Sequence, residues 1–202
     1  MRQARRPRST GESVPQAPTA EAKRCRPPAR AFARANLGRK LTAMRTWKLP
    51  ADIDTDQLAP GHAMKHGIER IAQHCLETVR PEFASQVKHG DAIVAGQHFG
   101  IGSSREQAAA ALVHLGVAAV IAPSYAGLFF RNAFNVGLLL LTCPKATTID
   151  DGSALAFDLP SRTITLADGR QLNFEPIPDF LLDMVRAGGL LPMLKRRLQE
   201  PR

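Results

Sequence analysis

Residues 91–122 leave the backbone few choices. Segment 91–95 (DAIVA) is a short apolar, β-branched run, the pattern of a buried strand. Segment 106–115 is rich in alanine and leucine and reads as a helix. Segment 117–122 is a second apolar strand. Between the first strand and the helix lies GQHFGIGSSR, in which three glycines surround His98. Glycine loses more conformational freedom on folding than any other residue, so such a cluster marks a tight loop or a closely approaching ligand. It falls where the first N–H groups of the helix have no partners of their own.

The flanking chain extends this unit. A short strand follows Met44, then a carboxylate-rich loop, ADIDTDQLAPG. Segment 67–77 places Ile68, Ile71, Ala72 and Cys75 at helical spacing. Segment 124–135 has mixed helical character and leads to a third apolar strand at 138–141. Strand, helix, strand, helix, strand predicts a layered α/β domain. Short strands at 154–158, 162–166 and 171–174, turned by DLPSR and ADGR, predict a small β-rich C-terminal part. Pro178 opens an amphipathic helix that stops at Gly188, and a last helix carries KRR. With no repeat and no internal linker, 44–202 reads as one domain.

The net charge of +9 suggests nucleic acid until it is located. Residues 1–43 hold 11 Lys/Arg against 2 Asp/Glu, while 44–202 hold 16 Lys/Arg and 16 Asp/Glu. The tail is Arg/Pro/Ala-rich and is expected to be disordered, because it cannot bury enough apolar surface to fold. It lacks the apolar stretch of a secretory signal, and its prolines interrupt any amphipathic transit helix. A basic arm for nucleic acid is the alternative, but a neutral domain offers no patch to support it. The expected reading is a domain that starts at Met44, with a tail that is disordered or untranslated. No run is long enough to predict a membrane span. Cys25, Cys75 and Cys143 are far apart and lack any Cys-x-x-Cys spacing. They give neither a disulfide framework nor a metal set, which implies a reducing cytoplasm.

Ser103-x-x-Glu106 matches a capping box, which by itself is a structural feature. The glycines would also let backbone N–H groups converge on an anion at a helix start. Arg105 adds a permanently charged fork suited to a carboxylate. No G-K-[ST] makes this a P-loop, and no suitably placed histidine supports a serine hydrolase.

GQHFGIGSSREQA, with DIDTDQLAP upstream and GVAAVIAPSYAGLFFRNAFNVGLLLL and PDFLLDMVRAGGLLPMLKRRL downstream, resembles the 3-isopropylmalate dehydratase small subunits, relatives of the aconitase swivel domain. The resemblance spans residues 44–202. It implies a swivelling α/β domain that completes an active site on a separate large subunit. That large subunit would carry a 4Fe–4S cluster, with no cofactor and no metal in this chain. It implies Ser103 as the base. Ser104, Arg105 and the amides around Gly102 would bind the carboxylate of a small hydroxy acid. Asp56 would pair with a large-subunit group that protonates the departing hydroxyl.

Three positions depart from the family pattern GxNFGCGSSREHA: His98, Ile101 and Gln107. After DIDTDQLAP, where relatives carry a tyrosine–leucine specificity loop, this chain reads GHAMKHG. Lys65 and His62 there are candidate substrate contacts, with Lys65 placed to meet an additional carboxylate. Isopropylmalate, homoaconitate, citramalate and dimethylmalate types of substrate all remain open from the sequence.

Overall fold

The computed structural model describes residues 43–199; segments 1–42 and 200–202, and with them the tail and Cys25, lie outside the described residues. Seven strands form one sheet: β1 (Met44–Lys48), β2 (Ala92–Val94), β3 (Ala119–Ala122), β4 (Leu139–Thr142), β5 (Ala154–Asp158), β6 (Thr163–Leu166) and β7 (Gln171–Asn173). Their order is β4-β3-β2-β1-β5-β6-β7. The first four run parallel, with Trp47 opposite Ile93, Ile93 opposite Val120 and Val120 opposite Leu140. The far edge of β1 pairs antiparallel with β5, through Met44–Leu155 and Arg45–Ala154. The β-rich C-terminal part is therefore present, and it widens the same sheet.

Burial follows the two halves. Every residue of β2 and β3 is buried, as a parallel strand covered on both faces requires. In β6 and β7, Ile164, Leu166 and Leu172 are buried while Thr165, Gln171 and Asn173 are exposed, the alternation of a sheet covered on one face.

The helices are α1 (Thr55–Leu58), α2 (Ile68–Gln73), α3 (Phe83–Gln86), α4 (Glu106–Leu115), α5 (Gly127–Val136), α6 (Asp179–Ala187) and α7 (Leu190–Gln199). Helix α4 packs against α1, α2 and α5, and α6 packs against α5 and α7. The helix expected over 67–77 stops early for a tertiary reason. Leu76 takes φ 61° and its N–H donates to the Gln57 carbonyl at 2.7 Å instead of continuing the ladder. The GHAMKHG segment forms a 3₁₀ turn over Gly61–His66 with Ala63 buried.

At the opposite end of the parallel strands Asp91 is buried and fully engaged. Its Oδ2 accepts from the Trp47 indole at 2.9 Å, from Arg45 Nη2 at 2.7 Å and Nε at 3.1 Å, and from the Lys88 N–H at 2.9 Å. A buried carboxylate needs such partners, and here they fasten β1 to the start of β2. Cys75 and Cys143 are buried, and desolvation pushes both thiols up, which makes them inert packing residues.

Candidate functional site

The glycine loop leaves the carboxyl end of β2 and is clasped between two neighbouring segments. On one side, the N–H groups of Gly100 and Ile101 donate to the Ile53 carbonyl at 2.7 and 3.2 Å, and the Thr55 N–H returns a bond to Ile101 at 2.8 Å. On the other, the Phe99 N–H donates to Ser124 at 3.1 Å and the Ala126 N–H to Phe99 at 3.0 Å. Single parallel bridges, Asp54–Ile101 and Phe99–Tyr125, continue the sheet's pairing beyond its strands. The carboxyl ends of parallel strands are where α/β sheets place ligands.

Two of the glycines serve this packing, not a ligand. A Cβ on Gly96 would lie 2.6 Å from the Ala51 backbone, and one on Gly100 would lie 2.2 Å from the Phe129 ring. Gly102, at φ 98°, is the exposed one. Beneath it, 3.1 Å from where its Cβ would stand, is the Thr55 hydroxyl, which is buried and has no hydrogen-bond partner among the described residues.

Ser103 and Ser104 follow, both exposed. Neither hydroxyl has a hydrogen-bond partner among the described residues. The capping box expected at Ser103–Glu106 does not form. The residue that caps α4 is Arg105, and no side chain bonds to the helix start. The box occurs instead at Asp54–Gln57, on α1, where Asp54 Oδ1 accepts from the Gln57 N–H at 2.7 Å and the Gln57 side chain accepts from the Asp54 N–H at 2.9 Å. The reason is the bend of the chain: the Arg105 N–H turns back onto the Ser103 carbonyl at 2.7 Å, so the cap falls on Arg105 and the helix begins at Glu106.

Arg105 and Asp56, predicted to play separate roles, are joined. Arg105 Nη1 donates to Asp56 Oδ1 and, at 3.1 Å, to the Ala59 carbonyl. The guanidinium is three-quarters buried and Asp56 is mostly exposed. One nitrogen is thus committed to anchoring, while Nε and Nη2, the edge that suits a carboxylate, have no partner among the described residues. Gly102, Ser103, Ser104, Arg105 and Asp56 therefore occupy one exposed corner, at the junction of α1 and α4.

No hydrogen bond or ion pair among the described residues links His62 or Lys65 to that corner. Lys65 is exposed on the 3₁₀ turn, and His62 turns toward His74 and Glu77. A further pair that the sequence left without a role lies near the glycines. His98 Nδ1 and Asp52 Oδ1 are 2.9 Å apart, and both residues hold left-handed backbone, φ 57° and 58°. Asn, Asp and His tolerate that region better than most residues, which accounts for His98 standing where the family pattern has Asn. Both line a cleft of about 410 Å³ at the ends of β1 and β2, walled also by Lys48, Gly96 and Thr147. None of residues 102–105 lines it.

Among the described residues the only thiols are Cys75 and Cys143, each buried, so they do not fit an iron–sulfur cluster. No helix among the described residues is long and apolar enough to cross a membrane.

Comparison with known proteins agrees with this architecture. The aconitase C-terminal domain matches residues 42–146. The 3-isopropylmalate dehydratase small subunit 1 of Archaeoglobus fulgidus is 45% identical over 153 residues, covering 75% of this chain and 95% of that protein. The methanogen homoaconitase small subunit of Methanothermobacter thermautotrophicus is 44% identical over 149 residues, covering 73% and 86%. A solved structure of 3-isopropylmalate dehydratase from Methanocaldococcus jannaschii superposes with a TM-score of 0.74 at 37% identity, covering 78% of this chain and 95% of that one. The chain therefore belongs to the aconitase C-terminal domain family, among the small subunits of the 3-isopropylmalate dehydratase type.

Proposed function

We propose that this chain is the carboxylate-binding half of a two-subunit hydro-lyase that isomerises 2-isopropylmalate to 3-isopropylmalate by dehydration and rehydration. The reading rests on one observation: two exposed serine hydroxyls without a partner among the described residues stand beside an anchored, partly buried arginine at a helix start that no side chain caps. That corner is half a site, and a large subunit supplies the rest. Residues 44–202 form the working domain, and a reducing cytoplasm is its setting.

Ser103 Oγ, as the alkoxide stabilised by the helix start and Arg105, takes the proton from the carbon beside a substrate carboxylate and becomes the hydroxyl. The electron pair left behind becomes the new double bond as the hydroxyl leaves from the adjacent carbon. Charge builds on the carboxylate as the proton departs, and pre-aimed donors stabilise it at little reorganisation cost. Ser104, the Gly102 amide and the free edge of Arg105 are those donors. Asp56 holds Arg105 in place and faces the large-subunit acid that protonates the hydroxyl. A 4Fe–4S cluster held by the large subunit would supply the Lewis acidity for the hydroxyl.

A homoaconitase-type substrate is the second reading. The 44% identical Methanothermobacter relative favours it, and so does Lys65, an exposed cation with no ion-pair partner among the described residues.

The deciding experiment co-expresses the chain with its large subunit and assays 2-isopropylmalate, homocitrate, citrate, citramalate and dimethylmalate. Turnover of 2-isopropylmalate by the pair, and of nothing by this chain alone, is the expected result. Activity of the isolated chain, or a folded pair inert on all five, would overturn the split site. In the same assay Arg105→Lys raises KM by about 10-fold or more with a smaller change in kcat. Lysine loses one charge-assisted hydrogen bond of the bidentate hold, worth roughly 1.5–3 kcal/mol. An unchanged KM would remove Arg105 from the carboxylate.

A further inference from the structure

His62 and His74 come from different elements and converge on one carboxylate. His74 Nδ1 lies 2.6 Å from Glu77 Oε2, while His62 Nε2 lies 3.4 Å from the other oxygen, Oε1. The two imidazole rings meet edge to face, centroids 4.8 Å apart. One ligand atom from each of the three residues falls within 4.8 Å of the other two. His74 and Glu77 sit three apart on the turns that follow α2, so both project from one side, and His62 reaches them from the 3₁₀ turn Gly61–His66.

We propose that His62, His74 and Glu77 form a binding site for one divalent transition-metal ion, Zn2+ by ligand chemistry. Two neutral imidazoles and one carboxylate are a ligand set that Zn2+ takes in tetrahedral geometry, leaving its fourth position to water. A tetrahedral Zn2+ with bonds of about 2.0–2.2 Å holds its ligand atoms roughly 3.3–3.5 Å apart. The His62–Glu77 separation already matches that span. The His74 contact, 2.6 Å to the other carboxylate oxygen, is shorter than that span, so the Glu77 carboxylate turns to present one oxygen to an ion lying between the two rings. Three ligands in two elements would make the ion a tie between the Gly61–His66 turn and the end of α2, fixing a segment that otherwise has only Ala63 buried. The site rests on these three side chains and is independent of which hydroxy acid the enzyme uses.

The test uses the full-length chain, stripped with chelator and titrated with Zn2+ alone by calorimetry, then with Co2+ followed by visible absorption. One Zn2+ per chain and the absorption of tetrahedral Co2+ are expected. Loss of an outer partner of a metal ligand typically weakens binding ~10–100-fold, so loss of a ligand itself, in His62→Ala or Glu77→Gln, costs at least ~10-fold. His114→Ala, on the exposed side of α4, leaves binding unchanged. The His62 side chain is 60% exposed, so its removal leaves the core intact, and circular dichroism of the metal-free variant verifies this. No uptake of Zn2+, or uptake that weakens less than tenfold in either folded variant, would overturn the site.

Discussion

Ser103→Ala, assembled with its large subunit, loses at least ~10²-fold in kcat, the lower end of what a positioned proton-transfer group contributes. Its stability stays within about 0.5 kcal/mol of the parent, as at an ordinary surface position. The two halves of this expectation come from different observations. The proposed function gives Ser103 the role of base, and its exposed hydroxyl has no partner among the described residues that would divert it to another task. A capping serine would instead cost about 0.5–2 kcal/mol when replaced by alanine. That role is excluded because α4 starts after Arg105 with no side chain bonded to its first turn. Substrate affinity should change little, since Ser104, Arg105 and the Gly102 amide remain. Steady-state kinetics on the complex and urea unfolding of the isolated chain separate the terms. A turnover within a few-fold of the parent would remove Ser103 from the chemistry, and a loss of stability beyond 1 kcal/mol would restore the cap.

Gly100→Ala fails at an earlier stage, in folding. Its Cβ would stand 2.2 Å from Cγ and 2.4 Å from Cβ of Phe129, which is itself fully packed at the start of α5. The backbone there has φ 80°, a region that costs an L-residue roughly 1–2 kcal/mol. Forcing a methyl group into a packed contact adds about 1–3 kcal/mol. The two costs together make a loss of about 2–5 kcal/mol, a large share of the stability of a domain this size. The expected result is a chain that unfolds at markedly lower urea concentration or collects in the insoluble fraction. Destabilisation below 1 kcal/mol would mean that α5 can give way, and that the loop is not locked against it.

These two variants divide the motif in a way the sequence does not. The glycines and serines of GQHFGIGSSRE look like one ligand-binding unit, yet they split between scaffold and site. Gly96 and Gly100 are bare because the chains on either side pass too close for a side chain. Gly102 and the serines stand outside that clasp. The spacing of glycines along a loop reports that the backbone is constrained, but it carries no information on whether protein or ligand supplies the constraint.

Wherever the deciding interaction is local, the sequence by itself determined the outcome. Helix Glu106–Leu115 occupies the residues its alanine–leucine pattern marks, because propensity and the neighbouring glycine boundaries act within a single turn. The apolar runs that became β2, β3 and β4 were legible for the same reason, since a strand buried on both faces needs an uninterrupted apolar segment. The stop of α6 at Gly188 was also legible. Everything set by partners distant in the chain needed the tertiary structure. Composition cannot say that β5 joins the free edge of β1, because both edges of a strand offer the same backbone groups. The early end of α2 is decided by the Gln57 carbonyl, 19 residues before Leu76. Asp56 and Arg105 are 49 positions apart, and only the clasp between the Ile53–Thr55 segment and the glycine loop makes them a pair. Asp91 reads as the polar start of a strand, and becomes a buried anchor only when Arg45 and Trp47 arrive from β1. A periodic pattern records which side of an element is apolar; which element will cover it is settled by packing among all of them at once.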